Sequence, residues 1–280
     1  MSVTLRDSFG RSIEYLRISV TDRCNFRCLY CMPLAGLEWL PKADILSYEE
    51  IARVVAQLAP LGLRRLRVTG GEPTLRPDLE RLIGMLREIP EIEDISLSTN
   101  GVRLPELAGT LKRAGLDRVN MSADSLRPDR IKAISRRNTD FDPIAAAAAA
   151  ERAGLAPIKL NVVVMRGIND DEVIDFARLT FDHPWHVRFI ELMPVGEMRE
   201  LTWDHVVPNR GDSRCSGEGR RSRAGRGARE RQRTRTLLPL CRRGRHDRCN
   251  YADVAHLLRE LQPRQTYRRW PASHLSLRRR

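Results

Sequence analysis

The chain has 280 residues, of which 41% are hydrophobic and 30% are charged, and its formal net charge is +13. This composition is typical of a soluble globular protein with a substantial core. No apolar run reaches the roughly 20 residues that a membrane helix needs, and the first residues do not resemble a signal peptide. We therefore expect a cytoplasmic protein without a membrane partner, in a reducing setting where clustered cysteines are more often metal ligands or redox groups than disulfides.

Short apolar runs alternate with amphipathic segments over the first 207 residues. The pattern predicts a first strand at residues 15–20 and a helix at 47–62. Further strand and helix pairs are predicted at 65–71 and 78–89, 94–101 and 104–115, 117–124 and 142–154, and 157–165 and 171–181, before a last strand at 186–194. Gly115 and Gly154 are predicted to end two of these helices.

This alternation predicts an α/β fold with at least six βα units, whose parallel sheet has right-handed crossovers and curls into a full or partial barrel. In such folds the ligands meet the loops at the C-terminal ends of the strands. Polar and small residues follow the predicted strands at these ends, namely the loop 21–33, residues 70–73 and 99–101, Ser122 with Asp124, and Met193 with Pro194. We expect them to surround one opening.

Three cysteines, Cys24, Cys28 and Cys31, lie within TDRCNFRCLYCMP at residues 21–33. A structural zinc site usually takes four ligands as two close pairs, and this stretch offers no second pair of cysteines or histidines. An iron-sulfur cluster held by three thiolates would leave one iron open to an outside ligand. The spacing favours a cluster, with a partial zinc site or inert thiols as the alternatives.

This motif, with the aromatic Tyr30 before its last cysteine, resembles the signature of the radical S-adenosylmethionine (SAM) enzymes. The segment TGGEP at 69–73 resembles the element of that family that holds the methionine amino group, and it places Gly70, Gly71 and Glu72 at the cosubstrate. The resemblance implies a partial (βα)6 TIM-type barrel with a 4Fe-4S cluster on the three cysteines. It also implies that SAM binds the open iron and is cleaved to a radical that abstracts hydrogen.

Longer stretches, including RLRVTGGEPTLRPDL, AGLDRVNMSADSL and RFIELMPVGEM, resemble the MoaA family of GTP 3',8-cyclases over roughly residues 4–205. These enzymes act in molybdenum cofactor biosynthesis and convert GTP to (8S)-3',8-cyclo-7,8-dihydroguanosine 5'-triphosphate. The resemblance assigns SAM contacts to Tyr30, Gly71, Ser122 and Met193, and GTP contacts to Arg17, Arg67, Ser98 and Lys159. It implies further partners, namely an electron donor and the pathway enzyme that acts on the cyclised product, and leaves a homodimer open.

The cations among these residues also make sense on chemical grounds. Arg17, Arg67 and Lys159 stand between apolar neighbours in predicted strands, and a triphosphate needs cations. Any one of them, taken alone, is better explained as a strand-edge charge that reaches solvent. Three of them at one opening favour an anion site. His183 and His186 are expected in a loop before the last strand, without a metal.

The composition changes near Pro208. From there to the end the chain has 21 arginines, no lysine and 6 acidic residues, whereas the preceding 207 residues have 28 basic and 30 acidic ones. We predict a radical SAM core at 1–207 and a non-homologous, disordered Arg-rich tail at 208–280. The tail is interpreted as a basic arm that binds nucleic acid without specificity, as a divergent metal site with Cys241, His246 and Cys249, or as the product of a frameshift.

The frameshift hypothesis can be examined on the sequence itself. Intact GTP 3',8-cyclases hold a second 4Fe-4S cluster with a C-x2-C-N-R element and a later cysteine, and that cluster binds the guanine base. The last three cysteines here, Cys215, Cys241 and Cys249, contain no such pair. Read from the second base of each codon, the run that begins at Leu237 can encode C-x2-C-N-R followed by the family's RLTADG. We therefore expect one cluster in this chain and impaired turnover of GTP; the alternative function is a nucleic-acid-binding protein that acts through the tail.

Overall fold

The computed structural model describes residues 4–193 and 201–208. Within them, six parallel strands form one sheet in which each strand pairs with the next along the chain. The strands are β1 (Tyr15–Ser19), β2 (Arg65–Thr69), β3 (Asp94–Thr99), β4 (Arg118–Ser122), β5 (Lys159–Val164) and β6 (His186–Glu191). The predicted parallel α/β fold is confirmed, and the predicted tail lies outside the described residues except for Pro208.

In the described part of the chain, six α-helices lie between the strands. They are α1 (Tyr48–Leu58), α2 (Leu79–Arg87), α3 (Leu104–Arg113), α4 (Pro128–Ser135), α5 (Pro143–Arg152) and α6 (Val173–Asp182). The predicted helix at 47–62 is divided, because Pro60 lacks a backbone N–H and residues 59–61 form a 3-10 turn after α1. The sequence prediction missed α4, whose eight residues are too few for a clear helical period.

The two faces of the sheet differ in chemistry. In β5, Leu160, Val162 and Val164 are buried in the main hydrophobic core, and the residues that alternate with them are more exposed. Because side chains alternate along a strand, all six strands have one apolar face, which packs in the core beside the helices. We call the opposite face, which includes Arg17, Arg67, Ser98, Asn120 and Lys159, the inner face.

The helix ends follow local rules that are visible in the sequence. Ser47 and Glu50 form a capping box at the start of α1, where the Ser47 hydroxyl accepts from the Glu50 N–H and the Glu50 carboxylate accepts from the Ser47 N–H. Gly115 and Gly154 have positive φ angles of 106° and 78° just after α3 and α5, as predicted for C-terminal glycines.

No helix among residues 4–193 and 201–208 is long and apolar enough to cross a bilayer.

Candidate functional site

The cysteine loop, residues 20–33, follows β1 at the C-terminal edge of the sheet. Cys24 and Cys28 are half-buried, Cys31 is exposed, and all three are free thiols. The loop is anchored by backbone hydrogen bonds to the end of α4, from the Arg27 N–H to the Ser135 carbonyl (2.8 Å) and from the Leu29 N–H to the Ile134 carbonyl (3.0 Å). The missed helix α4 is therefore one of the supports of this loop.

The three thiols fit a cluster better than a single ion. Among the described residues, no three Cys, His, Asp or Glu side chains converge on one possible metal position. A 4Fe-4S cluster does not require such convergence, because each thiolate binds a different iron atom. Three thiols on one loop are the donor set that such a cluster takes.

Burial keeps these thiols protonated while no metal is bound. Desolvation is the main cause that raises the pKa of Cys24, Cys28 and Cys31, and the charge of Asp124 raises the pKa of the last two further. Because thiolates are the ligands, metal binding at this loop must release protons.

Two predicted cofactor residues, Gly70 and Gly71, let the loop after β2 lie directly against the cysteine loop. A Cβ atom at Gly70 would stand 2.4 Å from the carbonyl oxygen of Thr21, and one at Gly71 would stand 2.3 Å from that of Arg23. The Gly71 N–H donates to the Thr21 carbonyl (2.7 Å), and the Glu72 N–H donates to the Arg23 carbonyl (2.8 Å). The glycines are therefore required by this close approach of two backbones.

Glu72, also predicted at the cofactor, is 1% exposed, and both of its carboxylate oxygens accept hydrogen bonds. Oε1 accepts from the Thr74 N–H (3.1 Å), the Thr74 hydroxyl (2.5 Å) and the Thr99 hydroxyl (2.7 Å), and Oε2 accepts from the Asn100 N–H (2.6 Å). Asn100 in turn donates through Nδ2 to the side chain of Asn25 (2.7 Å). Glu72 thus connects the loops after β1, β2 and β3, and its contact with SAM stays a prediction.

The other predicted SAM residues lie at the same edge of the sheet. Ser122 is the exposed last residue of β4, and Met193 stands two residues after β6 with 58% of its surface exposed. The Tyr30 hydroxyl donates to Asp124 Oδ2 at 2.6 Å. The C-terminal edge therefore gathers all the SAM positions that the sequence predicted, as a parallel sheet requires.

The predicted GTP residues share the inner face. Arg17 is in register with Arg67, and Ser98 is in register with Asn120, which is in register with Lys159. The pKa of Lys159 is lowered to about 8, first by burial and then by the charges of neighbouring arginines, which are Arg188, Arg118 and Arg67. Several cations therefore lie close enough to repel one another, and a bound anion would reduce this repulsion.

Sequence reasoning missed some residues of this inner face. Arg188 stands between apolar neighbours in β6, as Arg17 does in β1. The sequence HVRFI could therefore have predicted Arg188 as a residue of the inner face. Arg118 forms an ion pair with Asp94, which no sequence pattern predicted. His186 was expected in the loop before the last strand, although that strand was itself predicted from residue 186. The structure agrees with the predicted strand, because His186 begins β6 directly after Trp185, in register with Lys159.

Two atoms of the inner face have no hydrogen-bond partner among the described residues. Arg67 Nε and Asn120 Oδ1 are buried, and Asn120 is 1% exposed. The Arg67 guanidinium lies over the Tyr15 ring, with 5.4 Å between its Cζ and the ring centroid. Buried polar atoms without partners are costly, and a polar ligand on this face would satisfy them.

Several known proteins are similar in sequence to this chain. GTP 3',8-cyclase from Petrotoga mobilis is 52% identical over 201 residues, which are 72% of this chain and 62% of the relative. The enzyme of the same name from Heliobacterium modesticaldum is 51% identical over 212 residues, which are 76% of this chain and 61% of that relative. The chain thus spans less than two thirds of the length of these relatives.

Solved structures give the same fold at low sequence identity. The structure of Streptococcus suis SuiB bound to S-adenosylmethionine has a TM-score of 0.56 at 18% identity, and covers 68% of this chain and 43% of SuiB. A radical SAM methyltransferase from Sphaerobacter thermophilus has a TM-score of 0.50 at 20% identity, over 65% of this chain and 58% of the methyltransferase. At this level of identity the likeness concerns the fold alone.

A sequence profile described as "Radical SAM superfamily" matches residues 18–180, which is more than half of the chain. The matched range contains the three cysteines, the loop after β2 with Gly70 and Gly71, the end of β1 and the whole of strands β2 to β5. The chain belongs to the Radical SAM superfamily.

Proposed function

We propose that this chain is a radical SAM enzyme of molybdenum cofactor biosynthesis and acts on GTP as a GTP 3',8-cyclase. The observation that carries the proposal is the position of a three-cysteine loop beside an inner face rich in cations, in a chain about half identical to enzymes of that name. The alternative of a nucleic-acid-binding protein receives no support from the comparisons.

Membership of the superfamily supports a 4Fe-4S cluster and SAM as cofactors. We propose that Cys24, Cys28 and Cys31 hold one cluster. A bound cluster would supply the electron that cleaves SAM. The contacts with SAM would come from residues at the C-terminal edge, which are Tyr30, Gly70, Gly71, Glu72, Ser122 and Met193.

The inner face would hold the triphosphate of GTP. Arg17 and Arg67 are neighbours in register, so two guanidinium groups can each offer paired N–H donors to phosphate oxygens. Lys159 and Arg188 would add positive charge from β5 and β6, and Ser98 a hydroxyl. Holding the substrate by its triphosphate at this face would allow its ribose to be placed near the C-terminal edge, where the radical would form.

The remaining partners belong to the same proposal. The reaction needs an electron donor, and its product needs a following enzyme that consumes a cyclised nucleotide. A cytoplasmic setting, where GTP is available and cysteines stay reduced, fits these requirements.

Anaerobic reconstitution with iron and sulfide tests the proposal. The full chain should gain the brown absorbance of a cluster and, when reduced, release 5'-deoxyadenosine from SAM. Cys28→Ala should lose both, whereas Cys215→Ala, outside the loop, should keep both. Cluster formation that survives Cys28→Ala would contradict the assignment of the loop.

A further inference from the structure

Asp124 is a carboxylate that none of the predicted roles uses, and it stands just after β4 beside the cysteine loop. Its Oδ2 accepts the hydroxyl of Tyr30 at 2.6 Å, and its Oδ1 accepts the N–H of Val163 in β5 at 2.9 Å. The carboxylate therefore joins the strand ends of β4 and β5 to the residue that precedes Cys31.

A second side chain fixes Asp124 in turn. Asn169 is 2% exposed, and its Nδ2 donates to the Asp124 carbonyl (2.6 Å) and to the Val163 carbonyl (2.9 Å). Its Oδ1 accepts the Met165 N–H at 2.7 Å. Asp124 thus sits in a partly buried polar network, centred on the buried Asn169, whose members satisfy one another, which is the arrangement that makes such networks rigid.

The two halves of the cysteine loop are held differently. Residues up to Leu29 are anchored through backbone hydrogen bonds to α4 and to the loop after β2. Beyond Leu29 the backbone bonds are local, from the N–H groups of Cys31 and Met32 to the carbonyl of Cys28 at 2.9 and 3.1 Å. The Tyr30 hydroxyl reaches the end of β4, and the Tyr30 ring packs against a small apolar cluster that includes Met165 and Leu192. Arg136 adds a bond to the Met32 carbonyl at 3.2 Å.

We propose that Asp124 is a positioning residue that, through the Tyr30 hydroxyl, holds the second half of the cysteine loop and thereby places Cys31. The inference rests on the proposed function in that this loop is taken to bind the cluster. The hydrogen bond itself belongs to the protein without metal, so it can be tested there.

Hydrogen exchange of the metal-free full chain, followed by mass spectrometry, measures the order of the loop backbone. Tyr30→Phe removes only the hydroxyl, and Asp124→Leu removes both carboxylate oxygens while nearly keeping the shape of the side chain, whereas asparagine would still offer an amide oxygen or N–H to the hydroxyl. Each should speed exchange at residues 30–32 by at least about tenfold, the value expected for one lost hydrogen bond. The double variant should exchange no faster than the faster single one, because the bond between Tyr30 and Asp124 can be broken only once.

Asp129→Asn, at an exposed position in the first turn of α4, is the matched control and should exchange like the wild type. A second readout uses the reconstituted protein. Addition of SAM should perturb the electron paramagnetic resonance signal of the reduced cluster in the wild type and in Asp129→Asn, and this perturbation should be weakened in Tyr30→Phe and Asp124→Leu.

Wild-type exchange rates in Tyr30→Phe, or additive effects in the double variant, would overturn the proposal. If Asp124→Leu does not fold, Tyr30→Phe decides alone, since it leaves the bond between Asp124 and Val163 in place. If the wild type forms no cluster, the proposed function fails while the exchange experiment still decides the role of Asp124.

Discussion

At the scale of single residues, Lys159 shows how the inner face combines burial with repulsion. Its ammonium group is half-buried among arginines, and both effects favour the neutral form, which lowers its pKa to about 8. Near neutral pH the lysine is mostly charged, and a bound triphosphate would stabilise that charge. If Lys159 contacts the anion, as proposed, anion binding should be sensitive to pH in the range where the ammonium group titrates.

We expect the affinity of the chain for GTP to fall by roughly tenfold between pH 7 and pH 9, because binding requires the protonated lysine. Equilibrium dialysis with labelled GTP measures it. Lys159→Arg should bind with little change over this range, since arginine stays charged, and Lys112→Met, at an exposed lysine of α3, should behave like the wild type. An unchanged pH dependence in Lys159→Arg would remove Lys159 from the site.

A second prediction for a single residue concerns Gly71. In Gly71→Ala the new methyl group meets the backbone of Arg23 and Asp22 at 2.3 and 2.5 Å, so the cysteine loop must shift. We expect reconstituted iron per chain to fall by more than half, as measured by a colorimetric iron assay. Gly84→Ala in α2 has no atom within 4 Å of the new Cβ and should keep the iron while stabilising the fold by about 0.5–1 kcal/mol.

At the scale of elements, the sequence predicted most of the fold because each strand and helix has a strong local signal. The predicted strand at 94–101 was observed as Asp94–Thr99, and the predicted helix at 104–115 as Leu104–Arg113. The missed α4 is short, and only Ile131, Ile134 and Ser135 are buried in it. Its importance comes from contacts with a distant loop, which no local pattern contains.

The same distinction applies to the site. The cysteines and glycines were predicted because their spacing is itself a signal, and Arg188 could have been predicted from its alternation in β6. The links from Glu72 to Asn100 and from Asp124 to Tyr30 join residues 28 and 94 positions apart. Such long-range hydrogen bonds depend on the assembled sheet, so a single sequence does not reveal them.

A prediction for a single helix concerns the capping box of α1. Ser47→Ala removes the acceptor for the Glu50 N–H and should lower the free energy of unfolding by about 1 kcal/mol. Urea denaturation followed by circular dichroism measures it, with Ser8→Ala at an exposed turn as the control. A loss no larger than that of the control would mean that the cap contributes nothing to the stability of the fold.

At the scale of the whole molecule, the length of the match to relatives is close to the length of the chain that precedes the change in composition. The match to GTP 3',8-cyclases covers about 200 residues, and the arginine-rich sequence begins near Pro208. The frameshift hypothesis explains both features, and it remains a prediction, as does the boundary between 1–207 and 208–280. Sequencing the gene around the codons for residues 205–215 would test it directly.

The hypothesis predicts a separation of two activities. This chain should bind about four irons and cleave SAM. A version with residues 208–280 restored to the other frame should bind about eight irons. This chain should form cyclised product far more slowly than the restored version. The reason is that a loosely held guanine lets the ribose drift from the radical, and small displacements cost orders of magnitude in rate. Anaerobic assays of iron, 5'-deoxyadenosine and product measure each quantity. Equal product rates in the two proteins would contradict the frameshift hypothesis.

The order of the sheet also bears on how the chain folds during synthesis. Because every strand pairs with its predecessor in sequence, each one can be added as it leaves the ribosome, and β6 is complete at Glu191. The short segment 201–208 then joins through the bridge between Met165 and Val206 and the bond from the Arg166 N–H to the His205 carbonyl (2.8 Å). The six strands of the described sheet are complete without the arginine-rich stretch, so a change of reading frame after these codons leaves every strand of the barrel in place.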